Sequence, residues 1–133
     1  MFARHVFPTA ILASLVILAL PTSGLAAAPK KSGVYEGTLH ATSAAAVSKT
    51  IKLSVSANGL RASARFYCGV GRPSNQITFP IKADGSFRGF SNTGTLTVWS
   101  VIGRFTTTAQ AIVVLHLNAT CDGKGGRSVL TLK

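Results

Sequence analysis

Few side chains in this 133-residue chain could do proton or nucleophile chemistry: three histidines and three carboxylates, against 14 lysines and arginines. Beyond the N-terminal apolar stretch there remain His40 and His116, with Glu36, Asp84 and Asp122 in separate segments. A general acid–base pair or a hydroxyl–imidazole–carboxylate triad requires such groups within hydrogen-bond reach of one another. No motif in the sequence gathers them. There is no Gly-x-Ser-x-Gly elbow, and in Gly85-Ser86-Phe87-Arg88-Gly89 the serine stands one position too early to make one. A paired-carboxylate glycosidase would have to be built from Glu36, Asp84 and Asp122, two of which precede glycine, the ordinary composition of a turn. Calcium would need more neighbouring carboxylates than these turns hold, and His40 with His116 would be only half of a zinc set. No catalytic residue, metal site or cofactor motif is indicated.

Two kinds of side chain do point to chemistry. Cys68 and Cys121 admit a single intramolecular pairing, and no Cys-x-x-Cys is present, so a disulfide is expected if the chain reaches an oxidising compartment. Closing a loop of about 54 residues contributes roughly 4 kcal/mol in the chain-entropy view. The second kind is the cations. Lys49, Lys52, Arg61 and Arg65 fall in one expected hairpin, where a period of two aligns Arg61, Arg65 and Tyr67 away from the core. An aromatic ring among such cations suits phosphates, anionic glycans or stacked rings. The formal net charge of +11 attracts anions at long range. The competing reading is that unopposed cations serve solubility and deter edge pairing in a β protein.

Export is read from the N-terminus. Arg4 and His5 precede the apolar run Ala10 to Leu20, and Pro21-Thr22-Ser23-Gly24-Leu25-Ala26-Ala27 supplies a helix break and small residues for a peptidase. The run is far short of the roughly 20 residues a spanning helix needs. Residues 1–27 are therefore expected to be a cleavable signal peptide, 28–32 a short solvated mature N-terminus, and 33–133 one domain with no transmembrane anchor. Only Arg4 of the basic residues would be lost on cleavage after Ala26 or Ala27.

The domain that positions these groups reads as all-β, because period-two alternation recurs and no sustained 3.6-residue period does. Ile51, Leu53 and Val55 alternate with Lys52, Ser54 and Ser56; Asn58-Gly59 follows as a hairpin turn; Leu60, Ala62, Ala64, Phe66 and Cys68 then share a core face. Further strands are expected over Tyr35 to Leu39, Gln76 to Lys82, Ser86 to Phe90, Thr95 to Phe105, Ala111 to Cys121 and Ser128 to Leu132. Pro80 marks the Gln76–Lys82 segment as an edge or bulged strand. Thr95 to Phe105 is apolar on both faces, which suits a central strand covered on both sides or one bent by Gly103. The common parity of Val113, Leu115, Leu117, Ala119 and Cys121 places Cys121 toward the core. Seven or eight short, evenly spaced strands favour an antiparallel β-sandwich, with a small β-barrel as the alternative.

The order Gly33-Val34-Tyr35-Glu36-Gly37-Thr38, Leu53-Ser54-Val55-Ser56-Ala57-Asn58-Gly59, Cys68, Asp84-Gly85-Ser86-Phe87, Ile102-Gly103-Arg104-Phe105 and Cys121 resembles secreted β-sandwich proteins of unknown function from high-GC Gram-positive bacteria. The resemblance spans nearly the whole exported part and rests on strand-and-turn punctuation. It implies a fold and a compartment, and no catalytic residue. The function expected from these observations is a non-enzymatic exported module that binds anionic cell-envelope polymers or lipids, or serves structurally there, with Lys52, Arg61, Arg65 and Tyr67 as the anion-binding residues. Export and the lack of a recognised motif weigh against nucleic acid. The alternative is a small secreted hydrolase or inhibitor with a loop-borne site.

Overall fold

The computed structural model describes residues 27–41 and 43–133; the expected signal peptide lies almost wholly outside them. Eight strands form where alternation places them: β1 (Val34–Leu39), β2 (Lys49–Val55), β3 (Arg61–Cys68), β4 (Ile77–Pro80), β5 (Ser86–Thr93), β6 (Leu96–Thr107), β7 (Gln110–Leu117) and β8 (Gly126–Leu132). All pairings are antiparallel, as expected. They build a single sheet in the order β4-β3-β2-β1-β8-β7-β6-β5. Of the two architectures weighed from the sequence, this is the barrel-like one.

Even strand spacing cannot distinguish two stacked sheets from one curled sheet. The deciding contact is the non-sequential seam between β1 and β8, where Tyr35 pairs with Leu132 and Glu36 with Thr131. The amide of Lys133 extends that seam to the carbonyl of Val34 at 2.9 Å. The sheet then curls until its ends meet. Ile81 bridges Phe87, and Lys82 N–H donates to Ser86 O at 2.9 Å, so β4 and β5 touch at their shared turn. Farther along they part, and the side chain of Asn75 spans the gap. Its amide donates to Ser91 Oγ at 2.8 Å, and its Oδ1 accepts from Trp99 Nε1 at 2.9 Å. A nearly closed sheet leaves few unpaired backbone groups.

The turns depart in detail from the expected tight hairpins. Asn58 has ordinary φ, and Gly59 alone is left-handed at 74°. The β2–β3 loop is thus four residues long, flanked by the Ser56 N–H to Arg61 O bond, and Asn58 Oδ1 caps it by accepting from Leu60 N–H. Gly85 plays the same part between β4 and β5, with φ 80° and its N–H on Lys82 O.

Side chains fill the interior. Tyr35, Phe105, Phe87 and Phe79 form a chain of rings with successive centroids 5.1, 5.4 and 5.4 Å apart, and Phe66 meets Trp99 edge-on at 5.1 Å. Gly89 makes room for one of these rings, since a Cβ there would stand 2.3 Å from Phe79 Cδ1. The buried Tyr35 hydroxyl accepts from Lys30 N–H and donates to Thr108 O, which pins the solvent-exposed segment before β1 to one end of the barrel.

Three orientations differ from those expected. Leu60 lies in the turn instead of β3 and is 62% exposed. Strand β7 ends at Leu117, so Cys121 sits in a loop, exposed, with φ 54°. The period of two that places Val113 and Leu115 inward ends with the strand at Leu117 and does not extend to Cys121. Finally, of the two readings of β6, cover on both sides does not hold: Trp99, Val101 and Phe105 point inward, while Ile102 stands half-buried on the outer face and Leu96, beyond a register shift, is 49% exposed.

Candidate functional site

The expected anion-binding residues occupy the outer face of the β1–β4 half. Hydrophobic Ile51, Leu53, Ala62, Ala64 and Phe66 are buried, so the alternate positions of β2 and β3 must face out. Register then sets the neighbours. Lys52 stands directly opposite Arg65, Thr50 opposite Tyr67, and Ser54 opposite Ser63. On its other side Lys52 pairs with Glu36 of β1, whose carboxylate also lies 3.9 Å from Lys133 Nζ. Arg65 Nη2 donates to Gln76 Oε1 at 2.6 Å, and Ser63 shares a 3.0 Å hydrogen bond with Thr78.

Lys52, Arg65, Tyr67, Ser54, Ser63 and Gln76 line a shallow depression of about 220 Å³. Three of the four sequence-predicted binding residues thus come together. Arg61 does not: it shares their face but lies at the start of β3 beside Pro80, four residues from Arg65, or roughly 13 Å along an extended strand.

Lys49, grouped with these cations in the sequence, points the other way. Its parity is that of Ile51 and Leu53, and it is 2% exposed. A buried ammonium must be paired. Lys49 Nζ lies 2.9 Å from each oxygen of Asp122 and donates to Val47 O at 2.7 Å. Asp122 further accepts from the amides of Val47 at 2.8 Å and Lys124 at 2.9 Å. These hydrogen bonds, that from Lys49 foremost, hold the Asp122 carboxyl well below the usual carboxylate range.

Asp122, expected from Asp122-Gly123 to be a turn residue, is also the partner of a buried cation. Two signals in the sequence bore on the pair: Lys49 shares the parity of a core face, and Asp122 adjoins a cysteine. The disulfide lies beside the ion pair. Cys68 and Cys121 are bonded, with Cα atoms 5.8 Å apart, inside the range that a disulfide spans. Together they clamp the β7–β8 loop onto the open end of the β2–β3 hairpin.

Each carboxylate therefore has a use already. Glu36 faces Lys52 and Lys133; Asp122 holds Lys49; Asp84 accepts from the Ser86 hydroxyl at 2.5 Å and the Ser86 amide at 2.9 Å, which lowers its pKa. Among the described residues no three metal-capable side chains are grouped. His40 borders a depression with Lys124 and Arg127, while His116 is exposed on β7 opposite Ser100. The two histidines serve different surfaces.

Fold and surface thus define a small antiparallel barrel-like protein whose end is clamped by one disulfide and one buried ion pair, with cations displayed on its outer wall. Comparison with known proteins adds no relative: no family model matches the chain, and no curated protein or solved structure shows significant similarity to it.

Proposed function

We propose that this chain is an exported, non-enzymatic module that holds anionic polymers of the cell envelope on the outer face of β2 and β3. The observation that carries this reading is the direct cross-strand juxtaposition of Lys52 and Arg65. Like charges directly opposite one another destabilise a sheet, and an anion seated between them would turn that repulsion into attraction. Tyr67 and the hydroxyls of Ser54 and Ser63 supply a ring face and hydrogen bonds around the same depression. The ring-filled interior directs ligand contact to the outer wall. The disulfide is characteristic of oxidising compartments, and it agrees with the N-terminal export pattern and with the likeness to secreted proteins of high-GC Gram-positive bacteria.

The test is retention of the protein on an immobilised anionic polymer, such as dextran sulfate, at two salt concentrations. Lys52→Gln with Arg65→Gln should cut retention at low salt far more than Arg61→Gln, because Arg61 stands outside the depression. Retention should also fall steeply with salt, as the Debye length drops from about 10 Å at 0.1 M to about 3 Å at 1 M. A loss from the double variant only about twice that from Arg61→Gln, in proportion to two charges removed against one, would mean that net charge, not this site, governs binding.

A further inference from the structure

Strand β6 poses a problem of placement. Its sequence is apolar on both faces, yet the barrel interior takes one set only. The outward set gathers with its neighbours instead: register aligns Arg88, Ile102, Val114 and Arg127 in one row across β5–β8, and Ser86, Arg104, Ile112 and Val129 in the next. Ile102, Ile112 and Val114 are half-buried; Val129 is 50% and Phe90 48% exposed. Ile102, Ile112 and Val114 line a depression of about 290 Å³ together with Arg104 and Arg127. Neither row contains a carboxylate, and Arg88 leans over the Phe90 ring at 5.9 Å.

We infer that this outer face of β5–β8 docks onto an anionic lipid bilayer. Three kinds of occupant could approach an apolar centre rimmed by cations, and the residues discriminate among them. A hydrated polyanion would satisfy the arginines and leave the aliphatic side chains unused. A second copy of the face would set arginine against arginine with no acid in either row to answer them. A bilayer interface answers both components: glycerol and upper acyl groups accept the aliphatic centre, while phosphate oxygens accept guanidinium N–H groups whose stems lie along the apolar surface. The geometry agrees. Arg88 and Arg127 terminate their row three strand spacings apart, about 14 Å, which places a cation at each margin of an apolar strip. This face is separate from the Lys52–Arg65 depression, so either assignment can fail alone.

The experiment is co-sedimentation of the purified protein with vesicles of phosphatidylglycerol and phosphatidylcholine, and with phosphatidylcholine alone. Binding is expected to the mixed vesicles and not to the neutral ones. Replacing Arg88, Arg104 and Arg127 together with glutamine should lower the partition coefficient roughly a hundredfold, about fivefold for each cation. Ile112→Thr with Val129→Thr should lower it severalfold with every charge retained, whereas Lys52→Gln with Arg65→Gln should change it no more than a few-fold. Should a combined variant fail to fold, Arg127→Gln and Val129→Thr are read singly, each at an outward strand position. Equal binding to neutral vesicles, no loss in the arginine variant, or a loss in the Lys52/Arg65 variant as large as in the arginine variant would overturn the assignment. A dimer that dissociates on Ile112→Thr with Val129→Thr would overturn it in favour of a contact between copies.

Discussion

On β1–β4 the outward cations Lys52, Arg61 and Arg65 stand among hydroxyls and an amide, whereas on β5–β8 Arg88, Arg104 and Arg127 border Ile102, Ile112, Val114 and Val129. The number of cations is the same. What differs is the ground between them, and with it the kind of anion each face can hold. A polar ground lets a hydrated polymer keep its water and still bridge two cations, while an aliphatic ground gains from contact only when the anion brings apolar groups of its own. Net charge cannot express this difference. Cross-strand register can, because it determines whether two cations touch or are separated by aliphatic side chains.

Both faces depend on one scaffold, so the largest expected effects remove them together. Asp122→Ala leaves Lys49 buried without its counter-charge and should cost roughly 3–5 kcal/mol in chemical denaturation, with polymer and vesicle binding lost in parallel as the protein unfolds. Selective loss of one face would show that the clamp serves that face alone. Replacing Cys68 and Cys121 together with serine should cost somewhat less, about 2–4 kcal/mol; intact protein examined by mass spectrometry without reduction should lack two hydrogens relative to the reduced form. Asn75→Ala strands Trp99 Nε1 and Ser91 at the β4–β5 gap, and should cost about 1–3 kcal/mol. It should also quicken hydrogen exchange along β4 and β5 before β1 and β8.

Acid separates the clamp from the rest. The folded Asp122 carboxyl lies below its ordinary value, so its contribution is fully present above the unfolded pKa near 3.9 and is lost as pH falls through that value toward the folded one. The thermal midpoint of the wild type should fall between pH 4 and pH 2, on the acid side of that unfolded value. Asp122→Asn, already less stable, should show a shallower fall. Parallel curves for the two proteins would assign the acid lability to other carboxylates.

The strands were legible because β2, β3, β5 and β7 alternate cleanly, and a pleated strand half-buried in a core leaves no other pattern. Closure was not, since the β1–β8 seam joins the two ends of the domain through backbone hydrogen bonds that carry no local residue signature. The disulfide was legible by elimination, whereas its geometry was not: Cys121 reaches Cys68 from an exposed loop and not from the core face of a strand. Lys49 falls in the expected hairpin, and its inward side follows from the parity it shares with Ile51 and Leu53, but the partner that makes its burial tolerable lies 73 residues away in sequence. Ile102, Ile112 and Val114 were visible as apolar residues, but burial was the only use that sequence periodicity offered for them.

The smallest predicted effect is the one that isolates register from charge. Lys52 and Arg65 are adjacent across β2–β3, while Arg88 and Arg127 stand in one row with Ile102 and Val114 between them. In a double-mutant cycle of glutamine substitutions, Lys52 and Arg65 should show a repulsive coupling of a few tenths of a kcal/mol at low salt, and it should shrink as salt is added. Glu36, on the other side of Lys52, offsets part of each single substitution but cancels from the coupling itself. Arg88 and Arg127, about 14 Å apart, exceed the Debye length of about 10 Å at 0.1 M and should couple near zero at that ionic strength. Adding the anionic polymer should reverse the sign of the first coupling, because a bound anion makes each cation more useful in the presence of the other, and leave the second unchanged. A Lys52–Arg65 coupling that stays repulsive with polymer present would mean that no anion sits between them, and the β2–β3 depression would then be a solvated face.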